Sequence, residues 1–370
     1  MSKNEKIINS LIRSHLQNLA PYEAADPPEI LAAKAGILEE DVVKLNANEN
    51  PFGPSPKAAY ALNNISRVHI YPDPAQLVMR KAVANYVGLS EENIVVGNGS
   101  DELIDMLFRV TLDPDDIVID SVPTFGMYSF VAEFCGAKVI RIERDSNFEI
   151  NLPEVITASE SKAAKIIILA SPNNPTSNSA SIDTIKRLLK TDKLVIVDEA
   201  YFEFGGISAS GLINEFENLV ILRTMSKWAG LAGLRIGYGL MAPELASLLL
   251  RTKPPYNVSQ AAEVSLLASI DDAELLKERA NLIISERNRM SEKLSLIDGV
   301  KPWKSDANFI LCELPPNKGK LIYESLAQKG IFVRYFGGGR LADFIRISIG
   351  NSVQTDQLIA SLEKAIKENE

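Results

Sequence analysis

Between about residues 76 and 250, short apolar runs alternate with stretches whose apolar positions return every three or four residues. The runs are Ile94–Val96, Ile117–Ile119, Lys138–Ile142, Lys165–Leu169, Leu194–Val197, Leu219–Leu222 and Ile236–Leu240. Near-continuous Val/Ile runs suit strands buried on both faces, and helices between them supply the crossovers that parallel strands require. The expected architecture is therefore α/β, with a mostly parallel sheet of about seven strands. The last hundred residues read differently. EVSLLASI and AELLKERANLIISERNRMSEKLSLI form one long helical run ending at Asp298-Gly299. Strand-like NFILCEL, a helix IYESLAQKG, and strand-like IFVRYF and FIRISIG then make a smaller α+β module. The Pro-rich stretch Thr252–Tyr256 marks a hinge. The expected division is a large domain over 46–252, and a small one joining 1–45 to 253–370. Near the start, Ile8, Leu11, Ile12, His15 and Leu19 recur at helical spacing, predicting an amphipathic helix packed on the body or on a partner subunit.

Composition removes several kinds of chemistry. The only histidines and cysteines are His15, His69, Cys135 and Cys312, scattered and without CxxC or HExxH spacing. That argues against a metal site or a disulfide framework, and no GxSxG accompanies either histidine for a Ser/His/Asp triad. A net charge of −9 disfavours a general nucleic-acid binder. No run approaches the ~18 apolar residues of a membrane span. With few cysteines and no secretory pattern at the start, the expected compartment is the cytoplasm. An enzyme of this composition draws on an organic cofactor, or on Lys, Asp and Tyr.

Five motifs follow strand-like runs. In TMSKWAGLAGLR, Lys227 can form a Schiff base with an aldehyde-bearing cofactor, while Thr224, Ser226 and Arg235 can hold its phosphate. A surface lysine in a Gly-rich loop is the plainer alternative. In VIVDEAYFEF, Asp198 closes a strand where open α/β sheets bind ligands, and could keep a pyridine nitrogen protonated. Tyr201 could hydrogen-bond the phenolic oxygen of that ring; a helix cap or a magnesium ligand would also suit Asp198. In SPNNPTS, Asn174 precedes Pro175 and offers an amide to a ring oxygen, although such clusters also mark simple turns. In VVGNGSDELIDML, Gly99, Ser100 and Asp101 open a helix whose free N–H groups suit a phosphate, without a full GxGxxG. In PTFGMY, Phe125 could stack on a planar ring or simply be core. The set together supplies a phosphate cup, a ring stack, an oxygen partner, a pyridinium partner and a lysine.

At this point the sequence resembles the fold-type I pyridoxal phosphate aminotransferases, and within them the histidinol-phosphate aminotransferase family. LNANENPFGPSP, YPDP, GNGSDE, PTFGMY, SPNNPT, VDEAYFEF, SKWAGLAGLRIGY and FIRISIG are similar to the family's motifs in order and spacing. The resemblance implies pyridoxal 5'-phosphate as cofactor and transamination between histidinol phosphate with 2-oxoglutarate and imidazole-acetol phosphate with glutamate. It implies Lys227 as the cofactor lysine, Asp198 as pyridinium partner, and Asn174 and Tyr201 at the ring oxygen. It further implies Phe125 as the stacking residue, and Ser100, Asp101, Thr224, Ser226 and Arg235 as the phosphate cup. Tyr71 of YPDP matches a tyrosine that reaches the neighbouring subunit's cofactor phosphate, implying a homodimer with shared active sites. Tyr22, Asn48, Arg334 and Arg346 match substrate-contacting positions. Three departures stand out: Ser177 where the family often has Gly, EAADPP after Pro21-Tyr22, and the end of FIRISIGNSVQTDQ. An aromatic amino-acid aminotransferase, a phosphothreonine-type decarboxylase and a cofactor-sensing regulator are the alternatives. The regulator would need an appended DNA-binding segment, for which the residues before Leu16 are too few.

Overall fold

In a computed structural model, which describes residues 3–369, twelve strands form two sheets. The larger contains β2 (Ile94–Gly97), β3 (Ile117–Val122), β4 (Lys138–Glu143), β5 (Ala164–Ala170), β6 (Leu194–Asp198), β7 (Leu219–Thr224) and β8 (Gly237–Leu240). Its order is β2-β8-β7-β6-β5-β3-β4, with only β8 antiparallel to its neighbours. The seven apolar runs thus become seven strands of a mostly parallel α/β sheet. Along β5 the side chains alternate between two buried faces. Ile166 and Ile168 enter one apolar cluster, Ile167 and Leu169 the other. Full burial of each such side chain contributes about 1.5–3 kcal/mol, so both faces must be covered. Helices Ser100–Thr111, Met127–Cys135 and Pro243–Thr252 contribute Leu103, Val131 and Leu249 to one cover; Leu77–Val87 and Ile182–Leu189 contribute Val83 and Ile185 to the other.

The smaller sheet has order β1-β11-β12-β10-β9, where β1 is Val43–Leu45, β9 is Lys301–Pro302, β10 is Phe309–Glu313, β11 is Ile331–Tyr335 and β12 is Phe344–Ser348. β1 pairs in parallel with β11, which stitches the N-terminal segment to the end of the chain. The last helix, Ser352–Glu368, starts in a capping box in which Asn351 and Gln354 satisfy each other's backbone N–H groups.

Two helical expectations are corrected. The N-terminal pattern is a helix over Lys3–Leu11 only, followed by a separate 3-10 turn, Ser14–Leu16. Arg13 and His15, both exposed, lie there within hydrogen-bond distance of the Phe134 carbonyl (3.1 and 3.3 Å). That tertiary contact outweighs continuation of the helical period. The long C-terminal run breaks at Asp272 into helices Gln260–Asp271 and Ala273–Ser295, where Asp272 accepts the backbone N–H of Lys57. No helix among the described residues is long and apolar enough to cross a membrane.

The strand β8 lies hard against the turn before Ser100. A Cβ on Gly237 would sit 2.3 Å from the Ser100 nitrogen, and at Gly99 (φ +84°) one would sit 2.6 Å from Arg235 Nη2. Gly237→Ala is accordingly expected to lower stability by about 1–3 kcal/mol, as overpacking does. The check is the urea unfolding midpoint; an unchanged midpoint would show that the turn yields freely.

Candidate active site

The carboxyl ends of β5, β6 and β7 open into one cavity of about 370 Å³, lying between the two sheets. Of the fifteen residues singled out in the sequence, all but Tyr71 line it. Parallel register explains the convergence: Ala170 faces Asp198 and Asp198 faces Leu222 in the ladder, so chemistry carried just past each strand end shares one rim.

At one end stands a cup for an anion. Gly99 precedes the helix Ser100–Thr111, whose first turn leaves N–H groups free and carries the positive end of the helix dipole. Arg235, held at φ +52°, donates from Nη2 to Asp101 Oδ2 at 2.8 Å, and its Nη1 lies 3.5 Å from Ser226 Oγ. The Thr224 hydroxyl lies 2.9 Å from Ser226 Oγ and accepts the Ser226 N–H at 3.1 Å. Three hydroxyls and a guanidinium therefore face the same small volume. Asp101 shares the half-exposed Arg235 fork, so an incoming dianion competes with it for that guanidinium.

Lys227 projects from just past β7, and its amine donates to the Ala47 carbonyl at 3.0 Å. Burial pushes that amine down to about 8, and the nearby positive charge of Arg346 acts the same way. An amine so tuned is a nucleophile near neutral pH. At the far wall the Asp198 carboxylate accepts the Tyr128 O–H at 2.7 Å and the Ala200 N–H at 3.1 Å. Burial pushes Asp198 up to about 6, while the two hydrogen bonds oppose it. Tyr201, whose phenol burial raises to about 12, accepts from Asn48 Nδ2 at 3.1 Å. Asn174 Oδ1 accepts from Arg346 Nη1 at 2.6 Å, which leaves the Asn174 amide N–H groups for the cavity. Phe125 forms a side wall, edge-on to both Tyr22 and Tyr128.

The mouth is cationic. Arg346 is buried, donates to Asn174 and to the Asn46 carbonyl, and keeps its Nε without a partner. Burial pushes its guanidinium down to about 10. Arg334, more exposed, reaches the Glu23 carbonyl at 3.3 Å and the Glu23 carboxylate at 3.7 Å. Tyr22 to Ala25 lie across the opening between these arginines and Phe125.

Tyr71 is the residue the single chain does not bring in. Its ring is 76% exposed and stacks on Tyr256 with centroids 4.3 Å apart. Conversely, sequence reasoning passed over Tyr128, the Ala47 carbonyl, and Asn46, whose buried Oδ1 has no partner. Tyr128 stands in PTFGMY three residues beyond Phe125, one helical turn on, a spacing that could have flagged it. The site also accounts for the Ser177 departure. Ser177 sits at φ +61°, a conformation that favours glycine, and its hydroxyl lies 2.7 and 3.2 Å from the Thr176 and Lys304 carbonyls.

An anion cup, an aldehyde-reactive amine, a flat aromatic wall and a buried carboxylate are the donor set that pyridoxal phosphate needs. Fold and site define a class: a profile for aminotransferase class I and II matches residues 40–362, and the chain belongs to that family of pyridoxal phosphate-dependent enzymes. Within it, the chain belongs with the histidinol-phosphate aminotransferases. It is 42% identical over 365 residues to the histidinol-phosphate aminotransferase of Roseiflexus castenholzii, covering 96% of this chain and 98% of that one. It is also 42% identical to the chloroplastic histidinol-phosphate aminotransferase 1 of Arabidopsis thaliana, covering 98% and 88% respectively. Among solved structures, the pyridoxal-5'-phosphate complex of histidinol-phosphate aminotransferase from Sinorhizobium meliloti superposes with a TM-score of 0.89. That match has 25% identity and covers 98% of this chain and 99% of the other.

The lowered Lys227 amine makes a pH prediction. Only the neutral amine attacks, so acetylation of apoprotein Lys227 should rise with pH up to about 8 and then level off. Ordinary lysines continue to gain reactivity to about 10.4. Peptide mass spectrometry over a pH series tests this; a Lys227 profile that keeps rising beyond pH 9 would contradict it.

Proposed function

We propose that this chain carries out reversible transamination of L-histidinol phosphate with 2-oxoglutarate, giving imidazole-acetol phosphate and L-glutamate, with pyridoxal phosphate held by the residues described above. The observation that carries the reading is the pairing of two anion-binding ends around one low-pKa lysine. The inner cup of Ser100, Asp101, Thr224, Ser226 and Arg235 suits the cofactor phosphate. Arg334 and Arg346 at the mouth suit a substrate that presents a phosphate in one half-reaction and carboxylates in the other, because guanidinium pairs bidentately with both. When bound, pyridoxal phosphate supplies an aldehyde for amines and a protonated ring that accepts negative charge from the substrate carbon.

The chain's own groups do the rest. Asp198 would keep a positive charge on the ring nitrogen of bound pyridoxal phosphate, and Asn174 and Tyr201 would serve the ring oxygen. Phe125 covers one face. The Lys227 Nζ would take the proton from the amine-bearing substrate carbon and deliver it to the carbon that carries the cofactor's aldehyde, a role its lowered proton affinity favours. Tyr22 and Asn48 contact substrate, and Tyr22 to Ala25 limit water at the mouth. Residues 46–252 form one domain and residues 1–45 with 253–370 the other, so that the cleft lies between them.

The active form is a homodimer in the cytoplasm. Exposed Tyr60, Val68, Ile70 and Tyr71 support a second copy of the chain as their cover, with Tyr71 serving the partner's cofactor phosphate. Free Cys135 and Cys312 suit a reducing compartment.

Turnover with 2-oxoglutarate should be faster with histidinol phosphate than with phenylalanine; the reverse order would make this an aromatic aminotransferase. Lys227→Ala should abolish both turnover and the borohydride-fixed cofactor adduct on the Lys227 peptide. Arg334→Gln should raise KM for histidinol phosphate about tenfold or more, the cost of one lost charged hydrogen-bond pair. Shared sites predict complementation. Lys227→Ala and Tyr71→Ala chains, each inactive, should regain about a quarter of full activity when mixed as refolded dimers, since one site per hybrid is intact. No recovery would show that Tyr71 does not serve the partner's site, and an active Tyr71→Ala chain would place Tyr71 outside the active site.

A further inference from the structure

The turn from Phe125 to Ser129 is fastened to the sheet at two points on either side of β5. On β6, Asp198 Oδ2 accepts the Tyr128 O–H at 2.7 Å, and Tyr128 has no exposed surface. On β3, Asp120 Oδ2 accepts the Ser129 hydroxyl at 3.0 Å. The Tyr128 ring also meets Phe125 edge-on, with centroids 5.5 Å apart and planes at 82°. One side chain therefore touches both the carboxylate and the aromatic wall of the cofactor cavity, although it offers the cofactor no functional group of its own.

We propose that Tyr128 is a positioning residue for the cofactor: its O–H orients the Asp198 carboxylate toward the ring nitrogen, and its ring edge sets the plane of Phe125. This rests on the cofactor assignment made above. A buried carboxylate with a single backbone donor can turn about its Cβ–Cγ bond, or take up a proton. A second donor on the other oxygen opposes both, because Asp198 is then held from Tyr128 on one oxygen and Ala200 on the other. Burial, with the Asp198 carboxylate beside it, holds the phenol above the usual tyrosine range, so it remains a donor at neutral pH.

The test is a double-mutant cycle on the dissociation constant of pyridoxal phosphate from the apoprotein, read by equilibrium dialysis and cofactor absorbance. Tyr128→Phe preserves the ring and its packing, and a thermal melt of each apoprotein verifies folding. Tyr128→Phe should weaken cofactor binding about fivefold to tenfold, the worth of one hydrogen bond to a charged group. In an Asp198→Asn background the same substitution should change it less than about twofold, because the coupled partner is gone. Tyr128→Leu, which also removes the ring, should weaken binding further in both backgrounds. An unchanged dissociation constant in Tyr128→Phe, or the same factor in both backgrounds, overturns the positioning role. Equal effects of Leu and Phe overturn the part played through Phe125. Unchanged binding in Asp198→Asn alone would instead overturn the cofactor assignment, and this inference with it.

Discussion

Everything at this site depends on the parallel hydrogen-bond ladder that joins β5, β6 and β7. Because the three strands run the same way, their carboxyl ends finish on one edge, with Ala170, Asp198 and Leu222 abreast. An antiparallel neighbour would carry the next catalytic group to the opposite edge, some 15 Å away for a strand of about five residues. The ends of β6 and β7 are further tied by a buried ion pair. Arg223 donates to Glu199 Oε2 at 2.9 and 3.0 Å, and Glu199 also accepts the Ser208 hydroxyl and the Ala209 N–H. Removing one partner of such a pair leaves an uncompensated buried charge, typically about 3–5 kcal/mol. The strand ends that carry Asp198 and Thr224 are thereby held rigid where rigidity serves chemistry.

The electrostatics of the cavity follow from burial. Desolvation drives Lys227 and Arg346 down and Asp198 up, each toward its neutral form. A cofactor with a dianionic end and a cationic ring nitrogen meets groups of opposite sign at both places. The protein's overall charge of −9 has no bearing on this. The groups suited to anions are three local arginines, the free N–H groups that open the helix Ser100–Thr111 and a few hydroxyls, whose fields act at contact distance while distant surface charges are screened by solvent and salt.

Much of the large sheet was legible because its strands are buried on both faces, which leaves continuous Val/Ile runs with little else to explain them. Boundaries extended by a residue or two into polar ends: β6 includes Asp198 and β7 includes Thr224, because ladder hydrogen bonds continue past the apolar run. Fourteen of the fifteen site residues line the cavity, most of them at or just past a strand end of the large sheet, while Arg334 and Arg346 come from within β11 and β12 and Tyr22 from the N-terminal segment. Helix limits were less legible. The periodicity of Ile8 to Leu19 and of Glu263 to Leu296 persists in sequence after the backbone has turned, at Arg13 and at Asp272, for contacts with residues far along the chain.

The sequence by itself determined the kind of chemistry. Too few His and Cys for metals, a lysine and an aspartate after buried strands, and hydroxyls and an arginine around the lysine leave a phosphate-bearing organic cofactor as the natural reagent. These are local facts, set by residue identity and short spacing. Only the tertiary structure decided which groups act on one another. Tyr128 reaching Asp198 across 70 residues, Arg346 reaching Asn174 across 172, and Lys227 meeting the Ala47 carbonyl across 180 are consequences of how the sheets close on each other. No periodicity encodes such contacts, because a hydrogen bond depends on positions in space, and chain separation says nothing about them until the fold is complete.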